Sequence, residues 1–136
     1  MSARVLVIED DPISMRLMSY LLRSVGYLTF TAADGEAGLR VASDERPDLV
    51  LCDIQLPKVD GFGVVAAITT DPQLRGIPVV AVTALAMVGD RERIMGAGFT
   101  GYVSKPIEPM RFIEQIEAFL SPGSSAKAIA TSDSSS

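Results

Sequence analysis

The sequence predicts a doubly wound α/β fold, a parallel sheet of five strands covered by five helices. Two observations predict it. Short apolar runs bounded by turn residues alternate with stretches of helical period, and this strand-then-helix unit recurs five times along the chain. Strands separated by helices must run parallel, with helices on both faces of the sheet.

The elements follow in order. Arg4-Val5-Leu6-Val7-Ile8 reads as a buried strand. Residues 12–25 read as a helix, with Pro12 in its first turn and an apolar stripe of Ile13, Leu17, Leu21 and Val25 at i+4. Gly26 supplies a stop. Leu28-Thr29-Phe30-Thr31 is the second strand, and Asp34 caps a helix running to about Ser43. Residues 48–52 form a third strand ending at Asp53; a helix over 62–70 follows, closed by Asp71-Pro72. Residues 77–82 are the fourth strand and Tyr102-Val103-Ser104 the fifth. The last two helices occupy 87–95 and 109–120. Right-handed crossovers leave few topologies for this order. The flavodoxin-like strand order 2-1-3-4-5 satisfies them.

Composition bounds the function. With 136 residues the chain holds one ordinary domain, placed at 1–120, and residues 121–136 are expected to be a Ser-rich disordered tail. The net charge is -5, which argues against direct nucleic-acid binding, because phosphate neutralisation requires clustered Lys and Arg. The sequence has no His, so His acid/base chemistry and His metal ligands are excluded. The single Cys52 cannot form an intramolecular disulfide and reads as a small core residue. The apolar run near the N-terminus is far too short for a membrane span or a signal-peptide core, so no membrane insertion is expected and a cytoplasmic location is.

Ligands of doubly wound sheets collect at the carboxyl ends of the strands. There the sequence places Glu9-Asp10-Asp11 after strand one, Asp53 after strand three, Thr83 after strand four and Ser104-Lys105-Pro106 after strand five. Clustered carboxylates repel one another and lose hydration, and a hard cation relieves both costs. Magnesium takes oxygen ligands, keeps several waters and commonly shares one or two carboxylates with a phosphate oxygen. Glu9, Asp10 and Asp53 suit it; Lys105 can pair with Asp53 and then with a phosphoryl oxygen, and Thr83 can donate to another. So arranged, a carboxylate can act as the nucleophile of phosphoryl transfer. Each residue alone also has a structural explanation: the acidic pair as a helix cap, Thr83 as a loop residue, Lys105 as a solvated charge. Four strand ends carrying mutually complementary groups favour the joint functional reading.

The ordered motifs Val7-Ile8-Glu9-Asp10-Asp11-Pro12, Pro47-Asp48 through Asp53 to Pro57 and Asp60-Gly61, Pro78 to Thr83-Ala84, and Gly101-Tyr102-Val103-Ser104-Lys105-Pro106 resemble the receiver domain of bacterial response regulators over residues 3–120. The stretches 84–87 and 104–107 resemble receivers of chemotaxis, stand-alone and hybrid-kinase type, including cell-cycle regulators.

The resemblance implies that Asp53 is the phosphoacceptor and that Glu9 and Asp10 form the acidic pair around one magnesium ion. It implies further that Gln55 offers its backbone carbonyl to the metal, and that Lys105 and Thr83 contact the phosphoryl group. Thr83 and Tyr102 would be the switch pair, and the Lys105-Pro106 bond would be cis. The donor would be a histidine kinase or a histidine phosphotransfer protein. The output would be a protein interaction switched through the surface of helix four, strand five and helix five; the downstream protein and the oligomeric state are open.

For the donor, Asp11, Ser14, Met15 and Met18 lie off the Ile13 stripe of the first helix and are expected to form its docking face. The other reading of both Met residues is that they fill the core. Two departures from the family pattern stand out: Gly96 inside the fourth helix, and apolar Leu85 two residues past Thr83.

Rival classes lack their chemistry. A haloacid-dehalogenase phosphatase needs a second Asp two residues past the nucleophile, where this chain has Gln55. A flavin or nucleotide binder needs a Gly- or Ser/Thr-rich loop after strand one, where this chain has Glu9-Asp10-Asp11-Pro12. A scaffold that had lost phosphorylation would be expected to lack Asp53, Lys105 or the acidic pair. The expectation is a phosphoacceptor signalling domain, not an enzyme that turns over a separate substrate. Whether it works alone, as a phosphate shuttle or as the receiver of a larger kinase is open.

Overall fold

The computed structural model describes residues 3–84 and 88–120. The expected tail at 121–136, Leu85 and the predicted helix start at Met87 lie outside the described residues.

The elements alternate as expected. They are β1 (Arg4–Ile8), α1 (Pro12–Ser24), β2 (Leu28–Ala32), α2 (Gly35–Glu45), β3 (Leu49–Asp53), α3 (Gly61–Thr70), β4 (Val79–Thr83), α4 (Val88–Gly96), β5 (Gly101–Ser104) and α5 (Pro109–Leu120). All pairings are parallel, in the order β2-β1-β3-β4-β5. The register sets Ile8 beside both Ala32 and Cys52, Cys52 beside Ala81, and Thr83 beside Ser104, so the strands end along one rim.

Side chains alternate across a strand, and this divides the core into two layers. Leu6, Ile8, Val50, Cys52, Val79 and Ala81 face one layer, closed by Val64, Val65 and Ile68 of α3 and Ile94 of α4. Val5, Val7, Leu49, Leu51, Val80 and Val82 face the other, closed by Met18 and Leu22 of α1 and Phe112 and Ile116 of α5. The central strands β3 and β4 are buried on both faces, which explains their unbroken apolar runs.

Several boundaries move for local reasons. Asp48 stays outside β3, where its carboxylate accepts from the Arg4 N–H at 2.8 Å. β4 begins after Ile77-Pro78 and runs through Thr83. α2 continues to Glu45 and ends on Arg46 in the left-handed region (φ 45). Gly26 does end α1, with φ 96. α4 includes Gly96, and the left-handed glycine that follows it is Gly98, at φ 112.

The phase of α1 requires a correction. Its buried stripe is Met18, Ser19 and Leu22, flanked by half-buried Met15 and Leu21. Ile13 is 76% exposed and Val25 43%, so the predicted i+4 stripe is rotated away from the core. The chain offers apolar residues almost all round this helix, and periodicity alone does not choose between two stripes. Met18 fills the core and cannot belong to a docking face; Met15 packs against the same layer.

Candidate functional site

Asp53 is the last residue of β3 and is 7% exposed. Its Oδ1 accepts from the Gln55 N–H at 3.1 Å and its Oδ2 lies 3.1 Å from the Lys105 Nζ. The turn beyond it is pinned by Gly61, whose N–H donates to the Ile54 carbonyl at 2.8 Å. A side chain at Gly61 would stand 2.6 Å from the Ile54 Cα and 2.7 Å from the Asp53 carbonyl oxygen, so only glycine lets α3 start this close to the strand end.

Glu9 leaves β1 with its N–H donating to the Ala32 carbonyl of β2 at 3.0 Å, which turns its side chain inward. It is buried; Oε2 accepts from the Asp11 N–H at 3.1 Å, and Oε1 lies 3.0 Å from the Lys105 Nζ in an ion pair. That contact is close, yet its angles are not those of a hydrogen bond, so Oε1 is left without a good donor. Burial, reinforced by a hydrogen bond and charge repulsion from Asp53, raises the Glu9 pKa from 4.5 to about 7. Burial works against the Lys105 ammonium, but its close contacts with the Glu9 and Asp53 carboxylates outweigh it and raise its pKa.

Asp10 is exposed on the same rim, and carboxylate oxygens of Glu9, Asp10 and Asp53 lie within 4.8 Å of one another. Three crowded carboxylates, one of them pushed toward its neutral form chiefly by burial, make an all-oxygen donor set that fits a hard divalent cation.

The remaining predicted residues are on or beside this rim. Thr83 ends β4 and is buried, and its carbonyl accepts from the Lys105 N–H at 2.9 Å. The Lys105-Pro106 bond is cis. Gln55 is exposed one turn past Asp53. Tyr102 is half-buried on β5 against the core layer that holds Ile94 and Phe99. Asp11 is not in the carboxylate cluster. It caps α1, accepting from the Ser14 N–H at 3.2 Å and the Ser14 hydroxyl at 2.8 Å, and these bonds hold its carboxyl below the usual range. Cys52 is buried and its thiol is pushed far up by desolvation, which makes it an inert core residue.

One feature of the rim has no sequence signal. A groove of about 640 Å³ beside the site is lined by Asp10, Gln55, Leu56, Asp60, Phe62 and Arg93, among others. Arg93 and Phe62 are far apart in the chain, on α4 and α3, and neither sits at a strand end.

The chain is similar to known proteins in both sequence and structure. Residues 5–117 match the family described as response regulator receiver domain. The polar-differentiation response regulator DivK of Brucella anthropi is 46% identical over 120 residues, 88% of this chain and 98% of the relative. DivK of Brucella ovis is 45% identical over the same length. Among solved structures, the receiver domain of a Pseudomonas aeruginosa sensor histidine kinase is 32% identical with a TM-score of 0.81, covering 88% of this chain and 98% of that one. It was solved with a magnesium ion coordinated in its active-site cleft. The Vibrio cholerae chemotaxis response regulator CheY4 is 27% identical with a TM-score of 0.82, over 86% of this chain and 98% of that one. With a match that runs from the second residue of β1 almost to the end of α5, the chain belongs to the response regulator receiver domain family.

Proposed function

We propose that the chain accepts a phosphoryl group onto Asp53 from a histidine kinase or a histidine phosphotransfer protein. The observation that carries this reading is the environment of one carboxylate. Asp53 is buried at a strand end, held through both oxygens by Gln55 and Lys105, with carboxylate oxygens of Glu9 and Asp10 within 4.8 Å of its own.

In the transfer an Asp53 oxygen forms a bond to phosphorus, the donor's bond to phosphorus breaks, and its electron pair leaves with the donor. Lys105 exchanges its contact with Asp53 Oδ2 for one with a phosphoryl oxygen, and the Thr83 hydroxyl donates to another. Glu9, Asp10 and Asp53, with the Gln55 backbone carbonyl, would hold one magnesium ion, which when bound supplies positive charge beside the transferred group. The phosphoryl group must interact better with one state of the chain than with another if it is to switch it. The Thr83 hydrogen bond supplies that difference, and Tyr102 takes up the space Thr83 vacates. The change reaches the α4-β5-α5 surface and a downstream protein.

Docking of the donor falls on the exposed start of α1. Asp11 and Ser14 remain on that face with the edge of Met15; Ile13, 76% exposed, supplies the apolar anchor in place of Met18. The acidic net charge opposes nucleic-acid binding, and no helix among the described residues is long and apolar enough to cross a membrane. A cytoplasmic site of action is part of the same proposal.

The test is labelling by a small phosphodonor in magnesium. Asp53→Asn keeps the size and removes the nucleophile, so label should vanish, and a chelator should abolish it in the unaltered protein. Undiminished label in Asp53→Asn would defeat the reading.

A further inference from the structure

The groove beside the site contains a cation that the proposed transfer to Asp53 does not use. Arg93 is exposed on α4, with its guanidinium carbon 5.0 Å from the centroid of the Phe62 ring. That ring is fixed from behind, since it meets the buried Phe99 edge-on at 5.9 Å and 75°. Stacking on a fixed ring restrains the guanidinium while leaving its N–H edge available. Arg93 pairs with no carboxylate among the described residues, whereas Lys105 is engaged by two. Asp10 lines the same groove, and its carboxylate lies within 4.8 Å of those of Glu9 and Asp53. The groove therefore borders the carboxylate cluster that holds the acceptor, has Leu56 and Phe62 as apolar wall, and has Arg93 as the one cation among its lining residues.

A donor with its phosphorus at Asp53 must place its leaving group somewhere. Chemistry separates the donors. When an acyl phosphate reacts, Asp53 Oδ bonds to phosphorus, the donor's P–O bond breaks, and the electron pair stays on the acyl oxygen, which leaves as a carboxylate. When nitrogen-protonated phosphoramidate or ring-protonated phosphohistidine reacts, Asp53 Oδ bonds to phosphorus, the P–N bond breaks, its electron pair stays on nitrogen, and a neutral amine or imidazole leaves. Only the first creates negative charge on the leaving group, and a restrained, unpaired guanidinium stabilises such charge with little reorganisation.

We infer that Arg93 is a specificity-determining residue that receives the carboxylate released by small acyl phosphate donors, with the acyl chain along the Leu56–Phe62 wall. The inference rests on the reading of Asp53 as acceptor.

The experiment measures labelling of the full chain in magnesium, against concentration, with acetyl phosphate and with phosphoramidate. In Arg93→Ala the ratio of the two efficiencies should fall about five- to tenfold. That is less than the ~100-fold of an enclosed oxyanion donor because this groove is open to solvent. Arg93→Lys should restore part of the ratio. Phe62→Leu, which removes the ring under the guanidinium, should lower it by a smaller factor. An unchanged ratio, or an equal loss with both donors and a lowered melting temperature, overturns the inference and leaves Arg93 as a staple between α4 and α3. Absence of label on Asp53 with either donor in the unaltered protein overturns the acceptor reading itself.

Discussion

α1 and α4 both begin next to the rim that holds Asp53, yet they are anchored very differently. α1 starts on a proline, is capped by Asp11 through two hydrogen bonds from Ser14, and sinks Met18 and Leu22 completely into the core. α4 contributes one buried side chain among those described, Ile94, and carries Gly89 and Gly96, both of which face open space. Its charges Asp90, Arg91, Glu92 and Arg93 make no ion pair among the described residues. Local opening energies follow such differences in buried contact. Under the proposed function the two helices would divide the work: α1 would present a constant face to the donor, and α4 would be the element whose position a phosphoryl group shifts.

The strongest way to break this comparison is to attack the fixed helix. Met18→Lys removes a fully buried side chain and puts an ammonium in its place. Large-to-small losses of this kind cost about 2–5 kcal/mol before the buried charge is counted. We expect a loss of at least about 4 kcal/mol in urea unfolding, with acetyl phosphate and kinase labelling lost together. Retention of normal stability with only kinase transfer lost would return Met18 to the docking surface.

That residue also marks where sequence reading stopped. The fold was legible because β3 and β4 are apolar on both faces, and five strand-like runs separated by helices admit few topologies. The site was legible because it is made of strand ends, whose order along the chain is their order along the rim. The phase of α1 was not. Ile13, Met15, Leu17, Met18, Leu21, Leu22 and Val25 contain two overlapping stripes, and the choice is made by packing against β1 and α5, which periodicity does not encode. The Arg93–Phe62 contact was equally silent, since it joins two helices with no pattern between them.

A second test sharpens the rim that both helices border. With Glu9 raised to about 7 from 4.5 in the metal-free protein, the folded state holds its proton more tightly than the unfolded chain. The resulting stability is fully present below about 4.5 and is lost as pH rises through about 7. The chain has no His to confuse that window, and the raised Lys105 pKa acts only at the alkaline end. In chelator the urea midpoint should therefore fall between pH 5 and pH 8. Glu9→Gln, which keeps the shape without the charge, should flatten the profile and leave the metal-free protein more stable at pH 8. A midpoint that rises across this interval in the unaltered protein would show that the Lys105 pair, not burial, governs Glu9.

The smallest expected effect probes the loose helix directly. Gly96 lies within α4, its backbone is not in the left-handed region, and a methyl group there would meet nothing within 4 Å. The left-handed position that requires glycine is Gly98, two residues on. Nothing steric therefore demands Gly96, and a helical glycine costs about 0.5–1 kcal/mol relative to alanine. Gly96→Ala should raise stability by up to that amount, toward the lower figure because the residue is in the last turn. The informative readout is amide exchange. If α4 is the element that phosphorylation moves, its amides should exchange at different rates in free and phosphorylated protein, and Gly96→Ala should slow exchange in the free form and narrow the difference. α1 amides should be indifferent to both changes. Exchange in α4 that ignores phosphorylation in the unaltered protein would remove α4 from the signalling route and leave α1, with its exposed Ile13, as the surface to examine next.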